Sequence, residues 1–253
     1  DEGYGLNLDA LTQLKEQGVR IVITVDCGIR SLKEIAFGKE IGLDMIITDH
    51  HAPGDEMPDG FVTINPKQAG CKYPFKELSG AGVAFKLAQG LLRANEKMPL
   101  QKDRATEDEE GLVDLVALGT VADLVPLIGE NRALVKRGLA RLRASERPGI
   151  QAMIRYASIK PDAIDAGTIG YTMGPRLNAA GRLESALNAY HLLATQYPGE
   201  ADDLALKLEE TNRERQRLTN EMTSKAREAV SGKTEKEHLL FVAASEFPEG
   251  IVG

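Results

Sequence analysis

Two β-branched runs, each ending in an aspartate and separated by one helical segment, constrain the fold of this chain more than any other feature. The first is VRIVITVD at residues 19–26, and the second is DMIITDHH at residues 44–51. Near-continuous apolar runs of this kind are typical of strands buried on both faces of a parallel sheet. Ser31 can cap the intervening helix, and Gly42 can end it. A third run, GFVTINP at 60–66, follows a Pro/Gly-rich loop, so the order of elements predicts a parallel, doubly wound α/β sheet.

The residues at the ends of the first two strands suit a divalent cation. A right-handed crossover makes these strands parallel, so Asp26, Asp49 and His50 share the edge where ligands of open α/β sheets bind. Carboxylates and imidazoles without thiolates favour Mn²⁺ or Mg²⁺ over structural zinc. Because neighbouring residues at a strand exit rarely point the same way, we expect one of His50 and His51 to bind metal and the other to face a substrate phosphate. The alternative is that Asp26 is a turn residue and Asp49 a cap.

From Ser79 onward the sequence is predicted to be helical. Helical spacing is present at residues 79–94, 131–144, 148–157 and 184–195. The longest periodic segment, 200–231, would be roughly 45 Å long at the rise of an α-helix. A helix that connects two domains explains this length better than a coiled-coil arm. HLLFVAA, at 238–244, is then expected to begin the first strand of a second α/β domain.

Two further motifs in the helical part carry candidate functional residues. Asp123 follows the apolar segment ALGTVA at a helix exit. A carboxylate there is unfavourable toward the helix dipole, which favours a role as metal ligand over a stabilising role. GPRLNAAGR, at 174–182, contains two arginines, whose planar guanidinium groups suit phosphate oxygens. The alternative for GPRLNAAGR is an ordinary loop with surface arginines.

Composition restricts the setting in which the protein works. No run approaches the roughly 20 apolar residues of a membrane span, and no leader is visible, so we expect a cytoplasmic protein that is not bound to a membrane. Cys27 and Cys71 have no CxxC partner and are expected to be reduced thiols. The net charge is −7, so a basic field over the whole molecule is absent. Nucleic acid would have to bind through a local groove or through bound cations.

The order and spacing of four motifs resemble those of the DHH phosphoesterase superfamily. These motifs are VDCGI, ITDHH, ALGTVADLVPL and GPRLNAAGR. Together with EGYGLN, INPKQ and YPFKELSGAGVAF, they are similar to the RecJ family of bacterial single-strand-specific 5′-to-3′ DNA exonucleases over nearly the whole chain. The resemblance implies a two-metal phosphodiesterase with Mn²⁺ or Mg²⁺ that acts on single-stranded DNA in repair and recombination. Single-strand-binding protein and a helicase are the partners implied for the full-length protein.

The resemblance also implies a role for each residue at the sheet edge. Asp26, His50 and Asp123 match metal ligands of the family. Asp49 is the motif partner of His50, in direct contact with the metal or one layer behind it. His51 matches the histidine that faces the scissile phosphate, so Asp49 and His51 are the expected catalytic residues.

A third set of residues and the domain organisation follow from the same resemblance. Arg176, Asn178 and Arg182 match a motif at the domain junction, where contacts with substrate or with the linker helix are expected. The resemblance implies a DHH phosphoesterase domain at 1–198, an interdomain linker helix at 199–232 and the beginning of a DHHA1-type domain at 233–253.

Two parts of the family pattern are expected outside this chain. An Asp-x-Asp strand end should precede EGYGLN, and a glycine-rich motif and an oligonucleotide-binding fold should follow the last residue. We therefore expect an internal fragment that binds at most one metal well and is weakly active or inactive alone. Two alternatives remain. One is another DHH phosphoesterase acting on short oligonucleotides or cyclic dinucleotides, and the other is a non-catalytic binding protein on a DHH scaffold.

Overall fold

The computed structural model describes residues 5–99, 108–183, 185–231 and 241–248, without the side chains of residues 180, 182 and 183. The chain divides into two compact units, one up to Arg141 and the other from Leu142. Among the described residues, no helix has the length and apolar character that a membrane span requires.

The first unit contains three parallel strands, which confirms the predicted parallel α/β sheet. They are β1 (Ile21–Val25), β2 (Asp44–Thr48) and β3 (Val62–Ile64), and they lie side by side in that order. Val25 pairs with Thr48, and Thr48 pairs with Ile64. The three strands therefore end level with one another, and the residues that follow them lie at one edge of the sheet.

Two helices cover one face of this sheet. They are α1 (Leu8–Glu16) and α2 (Leu32–Glu40). The core between helices and sheet is apolar and consists of Leu11, Ile35, Leu43, Met45 and Ile47. Helix α2 approaches β2 closely at Gly38, where an added Cβ would lie 2.7 Å from the sulfur of Met45. This packing fixes the turn between β1 and α2, which borders the site described below.

The opposite face of the sheet is only partly covered in the described residues. A second core contains Leu78, Val83, Phe85, Val113, Val116 and Leu134, and Ile64 of β3 packs against it. It is formed around three helices, α3 (Gly80–Lys97), α4 (Val113–Ala122) and α5 (Gly129–Arg143). On β1, however, Ile21, Ile23 and Val25 are 56%, 47% and 52% exposed. The prediction that this strand is buried on both faces is wrong for the described residues, because the face with Ile21, Ile23 and Val25 is exposed and only the face with Val22 and Thr24 is covered.

The second unit is helical. It contains α6 (Pro148–Tyr156), α7 (Ala166–Thr168), a π-helical turn (Ile169–Met173), α8 (Gly174–Leu183), α9 (Leu187–Ala194) and α10 (Pro198–Val230). The predicted helices near 131–144, 148–157 and 184–195 correspond to α5, α6 and α9. The loop alternative for GPRLNAAGR is wrong, because residues 174–183 are helical. Pro175 directly follows the π-helical turn Ile169–Met173, where the α-helical hydrogen-bond pattern is already interrupted, so its missing N–H is tolerated there.

The long helix α10 confirms the helical prediction for 200–231, but it does not stand apart from the helices before it. It packs against α6, α8 and α9. The domain boundary between 198 and 199 and the role of α10 as an interdomain linker both stay predictions. Of the strand predicted at 238–244, residues 238–240 lie outside the described residues. The rest, Phe241–Ala244, is not in a strand, since no described strand pairs with it.

Candidate metal centre

Asp26 follows β1 in a backbone conformation that is uncommon for residues with a side chain. Its φ is 64°, which costs a non-glycine residue roughly 1 kcal/mol. Its N–H donates to the carbonyl oxygen of Thr48 at 3.1 Å, which holds the turn against β2. The carboxylate lies against the first residue of α3, since a Cβ added at Gly80 would be 2.4 Å from Asp26 Oδ1. Strained backbone of this kind is frequent at functional sites, and here it places a carboxylate at the edge of the sheet.

His50 is the centre of a cluster formed by three separate elements. Its side chain is only 7% exposed, and its Nε2 atom lies 3.0 Å from Asp26 Oδ1 and 3.4 Å from Asp123 Oδ2. Ligand atoms of Asp26, His50 and His51 all lie within 4.8 Å of one another. The three predicted metal ligands, which follow β1, β2 and α4, are thus brought together.

Asp123 is held in place by contacts between α3 and α4. The hydroxyl groups of Ser79 and Thr120 are 2.9 Å apart, and Ser79 also caps α3 by accepting a hydrogen bond from the N–H of Gly82. Burial raises the pKa of Asp123 above its usual value, and the nearby charge of Asp26 adds to this effect. A bound cation would relieve the repulsion between these two carboxylates.

His50 carries the opposite electrostatic preference. The contact with Asp26 raises the pKa of His50, against the effect of burial, which would lower it. The neighbouring carboxylates therefore favour positive charge at this position. Positive charge is what the cluster lacks, and a divalent ion would supply it.

Asp49 does not join the three ligands, and its oxygens are occupied elsewhere. The residue is 1% exposed. Oδ2 accepts a hydrogen bond from the N–H of Ile29 at 2.9 Å, while Oδ1 accepts one from the N–H of His50 at 2.7 Å. Oδ1 also lies 2.7 Å from Nδ1 of His51. Burial by itself would raise the pKa of Asp49, but these hydrogen bonds together lower it, so the group is a carboxylate. It lies behind His51 and orients it.

His51 is half-exposed beside His50, with the two ring centroids 4.5 Å apart. Since Nδ1 faces Asp49, Nε2 is the atom that remains for a metal or a phosphate. Both imidazoles reach the cluster, although strand alternation predicts that adjacent side chains diverge. The alternation does not apply here because β2 ends at Thr48, and the hydrogen bonds to Asp49 turn the chain. The division of roles between the two histidines stays a prediction.

Sequence reasoning missed two residues that border the cluster, Asn65 and Lys67. Asn65 is buried, donates through Nδ2 to the carbonyl oxygen of His51 at 2.9 Å, and accepts through Oδ1 from the N–H of Lys67 at 2.8 Å. The Lys67 ammonium is 3.8 Å from the Glu77 carboxylate. Asn65 follows β3 as Asp26 follows β1, so the argument from strand ends would have found it.

The spacing of the three ligands fits a hard divalent cation. Neighbouring ligands of an octahedral ion at about 2.1 Å are about 3.0 Å apart. The distances from His50 Nε2 to the two carboxylates are 3.0 and 3.4 Å. Nδ1 of His50 has no hydrogen-bond partner among the described residues. Two carboxylates with imidazole nitrogen form a ligand set that suits Mn²⁺ or Mg²⁺.

The three predicted substrate-binding residues lie in α8, within the second unit. Arg176 donates from Nε to Glu209 Oε2 at 2.6 Å and from a terminal nitrogen to the carbonyl oxygen of Thr172 at 2.7 Å. Glu209 belongs to α10, so Arg176 contacts the long helix. Asn178 is exposed, and the side chain of Arg182 lies outside the described residues. A substrate contact for these three residues stays a prediction, and for Arg176 the contact present is an ion pair within the protein.

Comparison with known proteins places these observations in a family. Residues 5–120 match the DHH family, N-terminal domain. The chain is 44% identical over 252 residues to the single-stranded-DNA-specific exonuclease RecJ of Bacillus subtilis, covering 100% of this chain and 30% of that protein. It is 38% identical over 235 residues to RecJ of Escherichia coli, covering 89% of this chain and 40% of that protein. The chain thus spans well under half the length of these curated relatives.

Solved structures agree with the sequence matches. RecJ from Thermus thermophilus in complex with Mn²⁺ is 32% identical, with a TM-score of 0.80 over 98% of this chain and 35% of that chain. An exonuclease RecJ bound to manganese is 33% identical, with a TM-score of 0.81 over 99% of this chain and 60% of that chain. The resemblance stated from the motifs is confirmed. By its sequence and its fold, residues 5–120 match the N-terminal domain of the DHH family, and the chain is similar to part of the RecJ exonucleases.

Proposed function

We propose that the chain is the core of a metal-dependent exonuclease that hydrolyses phosphodiester bonds of single-stranded DNA from the 5′ end. The observation that carries the proposal is the convergence of Asp26, His50 and Asp123 on one point beside an aspartate-oriented His51. The names of the relatives and the manganese in related structures support the same activity and cofactor.

Asp26, His50 and Asp123 would hold Mn²⁺ or Mg²⁺. Such an ion would supply an activated water and would offset negative charge on the phosphate during in-line displacement, and the family pattern pairs it with a second ion. His51 would face the scissile phosphate through Nε2. Asp49 keeps the tautomer with the proton on Nδ1 and stabilises the imidazolium that forms if Nε2 takes up a proton, as carboxylates behind catalytic histidines do.

The charge of the site explains how an acidic chain can accept DNA. The whole chain carries a formal charge of −7, so attraction of the phosphate backbone has to be local. The bound cations would supply most of it, and Lys67 adds a positive charge near His50 and Asp123. We propose further contacts with the DNA from Arg176, Asn178 and Arg182. Arg176 would use only the guanidinium N–H groups that do not already donate to Glu209 and Thr172.

The decisive experiment measures Mn²⁺-dependent hydrolysis of 5′-phosphorylated single-stranded DNA by the purified chain. We expect His50→Ala and Asp26→Asn to abolish it, and the matched control His191→Ala, at an exposed position of α9, to retain it. Asparagine is chosen at position 26 because it tolerates the positive φ there. Measurable cleavage that is equal for wild type and His50→Ala would refute the assignment. Faster cleavage of dinucleotides or cyclic dinucleotides than of long single strands would favour another DHH phosphoesterase.

Metal binding gives a second measurement that does not require turnover. The low activity predicted for this polypeptide alone makes such a readout necessary. Calorimetric titration with Mn²⁺ should show one well-occupied site that is lost in His50→Ala. A chain that binds no metal at all would instead be a non-catalytic DHH scaffold. A cytoplasmic location, and contacts with single-strand-binding protein and a helicase, are proposed for the full-length protein only.

A further inference from the structure

The hydroxyl group of Thr24 lies against the turn that carries Asp26. Thr24 belongs to β1 and is buried, and its Oγ1 atom donates to the carbonyl oxygen of Cys27 at 2.7 Å. The same Oγ1 atom accepts a hydrogen bond from the N–H of Thr48 on β2 at 3.2 Å. One side chain therefore joins the strand before Asp26, the residue after it and the neighbouring strand.

Thr48 completes this arrangement from the side of β2. Its side chain is buried, and its hydroxyl donates to the carbonyl oxygen of Thr24 at 2.6 Å. Its own carbonyl oxygen accepts the hydrogen bond from the N–H of Asp26 at 3.1 Å. The two threonines thus hold the backbone on both sides of Asp26, and none of these hydrogen bonds involves the side chain of a proposed ligand.

The turn depends on such support because two of its residues have a positive φ, 64° at Asp26 and 105° at Gly28. A glycine adopts this conformation without strain, whereas an aspartate does so at a cost and keeps it only where the surrounding structure enforces it. The fit is close, since a Cβ added at Gly28 would lie 3.0 Å from Oγ1 of Thr24. Without the hydrogen bond to Cys27, Asp26 would relax toward a negative φ, and its carboxylate would move away from His50.

We infer that Thr24 is a positioning residue for the metal site, whose hydroxyl holds Asp26 in the conformation that brings its carboxylate to Nε2 of His50. The inference rests on the proposed function in one respect, since it takes Asp26 to be a metal ligand. A valine would fill the same volume in β1, so the hydroxyl, and not the shape of the side chain, is what the site uses. Outer groups that orient metal ligands typically contribute about 10–100-fold to metal affinity.

The test is calorimetric titration with Mn²⁺ of variants that separate the hydroxyl from the methyl group. Thr24→Val and Thr24→Ala lack the hydroxyl, and we expect each to bind Mn²⁺ about tenfold more weakly or worse. Thr24→Ser keeps the hydroxyl and should retain most of the wild-type affinity, although it loses a buried methyl group. The matched control Thr211→Val removes a buried hydroxyl that donates to Lys207 within α10, and it should leave the Mn²⁺ affinity unchanged.

Urea denaturation of the same variants in EDTA distinguishes positioning from general destabilisation. A merely structural role predicts that loss of Mn²⁺ affinity follows loss of stability, so that Thr24→Ser, which loses buried apolar surface, would also bind more weakly. Positioning predicts that the affinity follows the hydroxyl. Circular dichroism checks that each variant is folded, and the comparison of serine with alanine repeats the comparison of threonine with valine.

The outcomes separate this inference from the proposed function. Mn²⁺ binding by Thr24→Val as tight as that of the wild type, or affinities that rank with stability and not with the hydroxyl, would overturn the positioning role. Hydroxyl-dependent Mn²⁺ binding without hydrolysis of single-stranded DNA would support the positioning role and refute the nuclease assignment. Hydrolysis together with unchanged Mn²⁺ affinity in Thr24→Val would do the reverse.

Discussion

Replacement of Asp49 by asparagine tests the idea that this residue is a buried support for His51 rather than a metal ligand. Oδ1 accepts from the N–H groups of His50 and His51 and contacts the ring of His51, so an amide oxygen placed there keeps these bonds. The amide nitrogen then faces the N–H of Ile29, which loses its acceptor. One buried unsatisfied donor costs roughly 1–3 kcal/mol, and the loss of charge assistance adds to it. We therefore expect Asp49→Asn to lower the free energy of unfolding by about 2–3 kcal/mol at neutral pH.

The pH dependence of this loss makes the prediction more specific. The pKa of Asp49 is lower in the folded chain than its unfolded value of about 3.9. A carboxylate of this kind contributes stability above the unfolded pKa, and the contribution is lost as the pH falls through the folded pKa. The difference between wild type and Asp49→Asn should thus be largest at neutral pH and should shrink below about pH 4.

Urea denaturation followed by circular dichroism across this pH range is the assay, performed in EDTA so that metal binding does not contribute. The matched control is Asp55→Asn, an exposed loop position, which should change stability by less than about 0.5 kcal/mol. The reasoning fails if Asp49→Asn unfolds at the same urea concentration as wild type. It also fails if the difference between the two proteins does not depend on pH.

Three further changes should have distinct effects. Gly80→Ala should weaken Mn²⁺ binding at least tenfold in calorimetry, because the new Cβ would lie 2.4 Å from Oδ1 of Asp26. The control Gly90→Ala should leave the Mn²⁺ affinity unchanged, because a Cβ there has no neighbouring atom within 4 Å. Lys67→Ala should weaken single-stranded DNA binding and reduce the slope of log affinity against log salt by about 0.7, as expected for one lost phosphate contact. Glu209→Ala should lower the free energy of unfolding, measured in urea, by about 3 kcal/mol, because it removes the carboxylate that pairs with the largely buried Arg176. The control Glu210→Ala, on the exposed side of α10, should leave the free energy of unfolding nearly unchanged.

The contradicting results differ among the three. Unchanged Mn²⁺ affinity in Gly80→Ala would show that the carboxylate can move without loss of the site. A Lys67→Ala variant with the same salt dependence as wild type would exclude a phosphate contact. Equal urea midpoints for the two glutamate variants would mean that the buried ion pair contributes no net stability.

The edge of the sheet could be predicted from sequence because it depends on local patterns. Strand periodicity places Asp26 and His50 at parallel strand ends, and the crossover rule puts those ends side by side. Asp123 required the weaker argument from an acid at a helix exit. The exposed face of β1 could not be predicted in this way, because periodicity reports which side chains are apolar and not which elements cover them.

The support around the ligands could not be predicted because it depends on long-range side-chain contacts. Ser79 and Thr120 are 41 residues apart, and nothing local marks either hydroxyl. Arg176 and Glu209 are 33 residues apart, so the guanidinium that suited phosphate in the sequence could not be assigned to an internal pair. Asp49 illustrates the same limit, since its four hydrogen-bond partners are backbone and ring groups whose directions appear only in the fold.

The position of the three ligands on β1, β2 and α4 gives a bound cation the character of a cross-link. Asp26 and Asp123 are joined by His50 across almost 100 residues of sequence, and among the described residues Ile21, Ile23 and Val25 of β1 are exposed. An ion that binds only the folded chain adds about 2.7 kcal/mol to its stability when the free ion concentration is 100 times the dissociation constant. That contribution would be concentrated at the carboxyl end of β1, the least covered strand. Amide hydrogen exchange there should slow when Mn²⁺ is added. The metal proposed for hydrolysis would then also stabilise the sheet.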